Sequence, residues 1–212
     1  MATQGASPTL PPMTDDRETE VWGNKDGRAW RVGGEAEVAW IRDNTKVSFA
    51  ITSAIPPVFA AYATLELPGS GDHLSASSLE DPDRHNAGVL ALLSEHSAAQ
   101  PWWLGYLDTG GADIVFNDVR KVRPGPNNDG WYVLVEAGPE QAGVWREREL
   151  PDLMFPADRS WLLSTLWDDD WTCIGGSRGL VDALLAHPDL RHRAREVDPS
   201  IRDATPPGHT AI

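Results

Sequence analysis

The stretch from Trp161 to His187 constrains this chain more than any other, because its local signals all agree. Trp161-Leu162-Leu163-Ser164-Thr165-Leu166-Trp167 is a run of aromatic, apolar and β-branched residues, Asp168-Asp169-Asp170 follows, and Trp171-Thr172-Cys173-Ile174 is a second run. Two such runs around a short acidic turn predict a β-hairpin. Side chains alternate faces along a strand, so Trp161, Leu163, Thr165 and Trp167 share a face, and pairing about a three-residue loop adds Trp171 and Cys173 to it. Trp167 and Trp171 then close the hairpin as a cross-strand aromatic pair. Gly175-Gly176-Ser177 ends the second strand and supplies a hydroxyl to cap a helix. Leu180, Val181, Leu184 and Leu185 recur at helical spacing, and Pro188 stops the helix after His187.

The rest of the chain extends this unit into an α+β fold, with a mixed or antiparallel sheet, hairpins and three to four packed helices. Val47–Ala54, Ala63–Leu67, Trp102–Leu107, Ala112–Phe116, Trp131–Ala137 and Leu153–Phe155 read as strands. Val58–Tyr62 suits a short helix opening at Pro56-Pro57, and Gly138-Pro139 opens another toward Arg146. A longer helix from about Arg84 to Ser97 aligns Val89, Leu92, Leu93 and His96 on one stripe. His85 and His96 lie about 16 Å apart along such a helix, too far to share a metal ion. Trp22, Trp30 and Trp40 are spaced too widely for one strand, and each either closes a sheet edge or covers the core. Residues 1–20 are polar and acidic and read as a disordered tail, residues 21–200 as a single domain, and residues 201–212 as a flexible C-terminal tail.

Charge narrows the range of partners. The chain of 212 residues carries a formal net charge of -14, and residues 101–170 hold half of it. Such a surface repels nucleic acid and anionic lipid, whose binders neutralise phosphate with Lys and Arg, and it steers a basic protein toward itself. Arg191, Arg193 and Arg195 alternate too closely to share a helical face, so they balance the acidic body instead of forming a phosphate site. No apolar run approaches the length of a membrane span, and no signal-peptide pattern opens the chain, so a cytoplasmic protein is expected. Cys173 is the only cysteine, and its apolar strand setting predicts a buried, inert thiol.

One tripeptide carries the pattern of catalytic chemistry. Leu107-Asp108-Thr109-Gly110 resembles the active-site segment of aspartic peptidases, particularly the retroviral type, in which an apolar strand delivers Asp-Thr-Gly. The resemblance implies that Asp108 shares a proton with a second aspartate and activates water, with Thr109 and Gly110 shaping the turn. A single copy of the motif implies a homodimer. Asp-Thr-Gly-Gly is equally good hairpin-turn chemistry, and the residues support both readings. Asp168, Asp169 and Asp170 lie on too tight a loop to converge on a cation, and Gly175-Gly176-Ser177 lacks the closing Gly-Lys-Ser/Thr of a phosphate loop. No metal site and no cofactor are expected.

The segments Trp-Leu-Gly-Tyr-Leu-Asp-Thr-Gly, Tyr-Val-Leu-Val-Glu-Ala-Gly-Pro-Glu-Gln and Trp-Asp-Asp-Asp-Trp resemble those of a bacterial family of uncharacterised proteins, over most of residues 50–210. That resemblance implies no activity. The residues therefore predict first a non-enzymatic, acidic, tryptophan-rich protein-binding domain, immunity-like or regulatory in character, whose contact residues are Trp167, Asp168, Asp169, Asp170 and Trp171. The alternatives are a homodimeric aspartic peptidase using Asp108 and a small-ligand-binding domain. The residues do not fix the oligomeric state.

Overall fold

The computed structural model describes residues 30–46, 50–68, 81–108, 119–125, 130–142, 149–165 and 171–202, together with residues 204, 206 and 207. The described residues contain three α-helices and one eight-stranded sheet. In chain order these are β1 (Arg31–Val32), α1 (Glu35–Arg42), β2 (Ala61–Glu66), α2 (Pro82–Glu95), β3 (Trp102–Leu107), β4 (Tyr132–Ala137), β5 (Leu153–Pro156), β6 (Leu162–Ser164), β7 (Trp171–Gly176), α3 (Arg178–Ala186) and β8 (Ala194–Glu196). The strands lie in the order β1-β4-β3-β5-β6-β7-β2-β8, and every neighbouring pair is antiparallel. The α+β expectation holds, in a sheet-dominated form.

Because strand side chains alternate, one sheet feeds two cores. Ala61, Ala63, Leu65, Trp102, Leu104, Tyr106, Val133 and Val135 point to one face, where α2 covers them with Val89, Leu92 and Leu93 and α3 with Leu180, Val181 and Leu184. Tyr62, Trp103, Tyr132, Leu134, Phe155 and Cys173 point to the other face, under Val38 and Ile41 of α1 and under Ile51, Ala54 and Ile55. Ala204 is buried in this second core as well. The first core is pinned by aromatic rings. Trp161 meets Trp102 edge-to-face at 4.8 Å between centroids, and its Nε1–H donates to Ser97 Oγ at 2.7 Å, fixing the end of α2 against the sheet.

The predicted central unit forms, with one correction. Ser177 caps α3 by accepting from the Leu180 N–H at 3.2 Å, and His187 follows its last residue. Strand β6 pairs β7 with Leu163 opposite Ile174 and Ser164 opposite Cys173, whereas a three-residue loop centred on Asp169 would set Leu163 opposite Gly175. That difference of one residue reverses which side chains share a face. Trp171 and Cys173 therefore lie with Leu162 and Ser164 in the second core, and Trp161 and Leu163 lie with Ile174 in the first. The expected pairing of Trp167 with Trp171 involves a residue outside those described.

Elsewhere β3, β4 and β5 fall within a residue of expectation, and α2 starts two residues early because Asp81 takes the cap, accepting from the Asp83 N–H at 3.1 Å, with Pro82 at the first helical position. Two expectations fail around Pro56-Pro57. Ile51–Ser53 forms a 3₁₀ turn instead of part of a strand, and residues 57–60 form a turn instead of a helix, because Ala61 and Tyr62 are taken into the β2–β7 ladder. Tertiary pairing overrides local preference there. The helix expected after Gly138 is a single 3₁₀ turn, Pro139–Gln141, among the described residues. The expected strand Ala112–Phe116 lies outside them.

Both edges of the sheet are blunted. The outer side of β4 is covered in pieces by β1, by the Gly33 N–H donating to Leu134 O at 2.7 Å, and by a two-way bridge between Val122 and Tyr132. The other edge is β8, only three residues long and carrying Arg195 at its centre. Short, charged edges of this kind resist the addition of another strand.

Candidate functional site

The sequence singles out two places, the aspartate after β3 and the acidic segment between β6 and β7, and the topology brings Asp108 and the two residues flanking that segment, Thr165 and Trp171, to the same end of the sheet. Antiparallel neighbours reverse direction, so the C-terminal ends of β2, β3 and β6 and the N-terminal ends of β4, β5, β7 and β8 all meet there. In strand order this rim carries Trp131 ahead of β4, Asp108 after β3, Asp152 ahead of β5, Thr165 after β6 and Trp171 at the start of β7. Three strand spacings separate β3 from β7, or about 14 Å. The connection containing Trp167, Asp168, Asp169 and Asp170 joins Thr165 to Trp171; those four residues lie outside the described ones, as do Thr109 and Gly110.

Asp152, which the sequence reading passed over, ties this rim together. Its carboxylate Oδ2 accepts the Leu107 N–H at 2.7 Å, one residue before Asp108. Its carbonyl accepts both the N–H and the hydroxyl of Thr165, at 2.8 and 3.0 Å, at the end of β6. One residue thus fixes the exits of β3 and β6 relative to each other. The signal for it was Pro151-Asp152 ahead of an apolar strand, a pattern of strand entry that the sequence shares with many ordinary turns.

Asp108 continues the β3–β4 ladder by donating its N–H to Trp131 O at 2.7 Å, and its carboxylate receives the Lys121 ammonium in an ion pair. A catalytic aspartate of the peptidase type needs a second carboxyl to share its proton. The partner seen here is a cation, which supports the turn reading of Asp108. Among the described residues no group of three or more His, Cys, Asp and Glu side chains is placed to hold a metal ion. Cys173 is buried, as expected of an inert thiol.

The two tryptophans of this rim have opposite fates. Trp171, expected at the contact surface, is buried in the second core, because both faces of the sheet are covered there. Trp131, read from sequence only as the start of a strand, is 45% exposed. The Arg123 guanidinium lies 4.3 Å from its ring centroid, and the Arg123 N–H donates to Glu35 Oε1 at 3.2 Å, which anchors the stack to the first turn of α1. Tryptophan and arginine are both enriched at protein contacts relative to the rest of a surface.

Among the described residues no helix is long and apolar enough to cross a membrane. No protein-family model matches this chain, and neither the curated proteins nor the solved structures searched give a match.

Proposed function

We propose that this chain is a non-enzymatic binding domain whose loop end of the sheet recognises a basic protein. The observation that carries the reading is the convergence of Trp131, Asp108, Asp152 and the anchors of the Asp168–Asp170 loop on one end of the sheet, in a chain of net charge -14. Trp131 supplies a large, stiff contact surface that loses little entropy on binding, and the acidic segment supplies long-range attraction. Asp152 and the two-core packing hold this rim in place before a partner arrives, which lowers the ordering cost of association.

The test is affinity capture of basic proteins at low salt by the native chain and by a chain carrying Trp131→Ala with Asp168→Asn, Asp169→Asn and Asp170→Asn. A basic protein retained by the native chain, released by roughly 0.5 M salt as screening predicts, and lost from the variant supports the reading. Equal retention by both chains, or no basic protein retained by either, rejects it.

A further inference from the structure

The opposite end of the sheet holds a second surface with different chemistry. Strand β5 ends there at Pro156, β2 begins there at Ala61, and α1 arrives there with Trp40. Trp40 packs edge-on against Phe155 at 5.5 Å and against Phe59 at 6.2 Å, and Phe59 packs edge-on against Tyr62 at 6.2 Å. Beside them Pro57, Val58 and Ala60 are exposed, Val58 to 57%. The Arg159 guanidinium stands 5.6 Å from the Trp40 ring centroid and forms no ion pair with any described residue.

Both halves of this patch are held rigidly. The Val58 N–H donates to Pro56 O at 2.8 Å, the Phe59 N–H to the Tyr62 hydroxyl at 2.9 Å, and the Ala60 N–H to Gly176 O at 3.1 Å. Phe59 rests on Gly175, where an added Cβ would come within 2.5 Å of the ring. The turn therefore presents Val58 outward with little freedom to fold it away. Arg159 is the only non-glycine residue among those described with a positive φ, at 60°. Its neighbours impose that conformation: its own N–H donates to Pro156 O at 2.9 Å, the Asp158 N–H to Gln100 Oε1 at 2.8 Å, and the Ser160 N–H to Asp158 Oδ1 at 3.0 Å. The adjacent carboxylate is thus occupied by the turn itself. A left-handed arginine is costly, and such strain persists only where the surroundings fix it, often at ligand clamps.

We propose that Pro57, Val58, Phe59, Trp40 and Arg159 form a docking site for a peptide segment of a partner protein in which a carboxylate side chain stands next to a large apolar one. The carboxylate pairs with Arg159, and the apolar side chain lies on Val58 and the edge of the aromatic cluster. Charge selects this occupant: the exposed Arg159 cation has no ion-pair partner among the described residues, and its guanidinium is left to attract an anionic side chain from outside. The aromatic floor keeps water away from one side of the guanidinium, which strengthens a charge-assisted hydrogen bond to it. This surface is distinct from the acidic rim, and its occupant has the opposite charge.

The experiment titrates the isotope-labelled full chain with acetyl-Glu-Phe-Glu-Leu-amide and with its glutamine counterpart, following the Trp40 indole N–H and the Arg159 guanidinium N–H by NMR. The acidic peptide is expected to shift both signals saturably and the glutamine peptide to bind about tenfold more weakly, the factor that loss of one charge-assisted hydrogen bond implies. Arg159→Gln is expected to remove the difference between the two peptides, and Val58→Asp to remove binding of both. Both substitutions are on exposed side chains, and an unchanged amide spectrum elsewhere confirms the fold. No shift with either peptide, or equal affinity for both on the native chain, overturns the proposal. Shifts confined to the opposite rim near Trp131 overturn it too.

Discussion

Arg193 and Glu66 face each other across the β8–β2 ladder with both side chains withdrawn from solvent, Nη1 of the arginine standing 3.9 Å from Oε2 of the glutamate. The arginine also donates from Nη1 to Leu67 O at 3.1 Å. Removing one member of such a pair leaves a buried charge without its counterion. Glu66→Ala and Arg193→Ala are each expected to destabilise the fold by about 3–5 kcal/mol, measured by urea denaturation. The double substitution Glu66→Leu with Arg193→Met should recover most of that loss. A loss under about 1 kcal/mol for either single change would show the pair to be better hydrated than its burial indicates.

Asp108 makes its ion pair with Lys121 at a partly exposed position. Asp108→Asn keeps the backbone bond to Trp131 O and forfeits only that pair, so a loss of at most about 1 kcal/mol is expected by the same measurement. The molecular mass in solution should be the same with and without the substitution, and neither form should cleave a mixed peptide library at acidic or neutral pH. Cleavage by the native chain that vanishes in Asp108→Asn would instead make Asp108 catalytic.

Gly175 lies under Phe59 and Ile55, whose side-chain atoms would stand 2.5 and 2.8 Å from an added Cβ. Gly175→Ala is expected to cost about 1–3 kcal/mol, as overpacking does in a filled core. The same substitution should loosen the Pro57–Ala60 turn, read as faster amide hydrogen exchange at Phe59 and Ala60 than in the native chain. Unchanged exchange at those two amides would mean that the turn is held by its hydrogen bonds alone.

Tyr62 has its hydroxyl among buried groups, where it donates weakly toward Pro56 O at 3.4 Å and accepts the Phe59 N–H. Burial pushes its phenol above the ordinary value, and the Phe59 hydrogen bond opposes this only in part. A raised pKa in the folded state favours the neutral phenol there, so the associated stability is fully present below about pH 10, the unfolded value, and is lost as pH rises through the higher folded value. The difference in tyrosinate absorbance between the native chain and Tyr62→Phe should appear only above that point. A difference appearing at or below pH 10 would place the hydroxyl in contact with water.

The legible parts of this fold were those where local and long-range demands coincide. Strand β3, α2 and the β7–α3 passage each have a buried face that matches their own period, so periodicity and caps were enough. The hairpin register was not legible, because the acidic run offers no glycine to fix a turn type and a shift of one residue leaves the composition of the loop almost unchanged. Helix α1 was missed although Val38 and Ile41 lie one turn apart and Glu37 reaches back to the Gly34 N–H at 2.7 Å. Eight residues with a glycine cap give a weak local signal, and the helix depends on the sheet beneath it. At the candidate site, Asp108 could be placed from its strand, but the link through Asp152 joins segments 45 residues apart, and exposure of Trp131 against burial of Trp171 depends on packing that no single segment encodes.

The position of β2 in the sheet has a consequence for how this chain comes into being. Its partners are β7, reached at Gly176, and β8, so Ala61–Glu66 has no neighbour in the sheet until more than a hundred further residues exist. On a ribosome this strand emerges early and waits with both of its edges unpaired while β3, β4 and β5 are made and can pair among themselves. Completion of the sheet therefore waits for β7 and β8. A polypeptide cut short before β7 would carry a formed meander beside an apolar strand with nowhere to bind, which is the kind of species that chaperones hold and proteases remove.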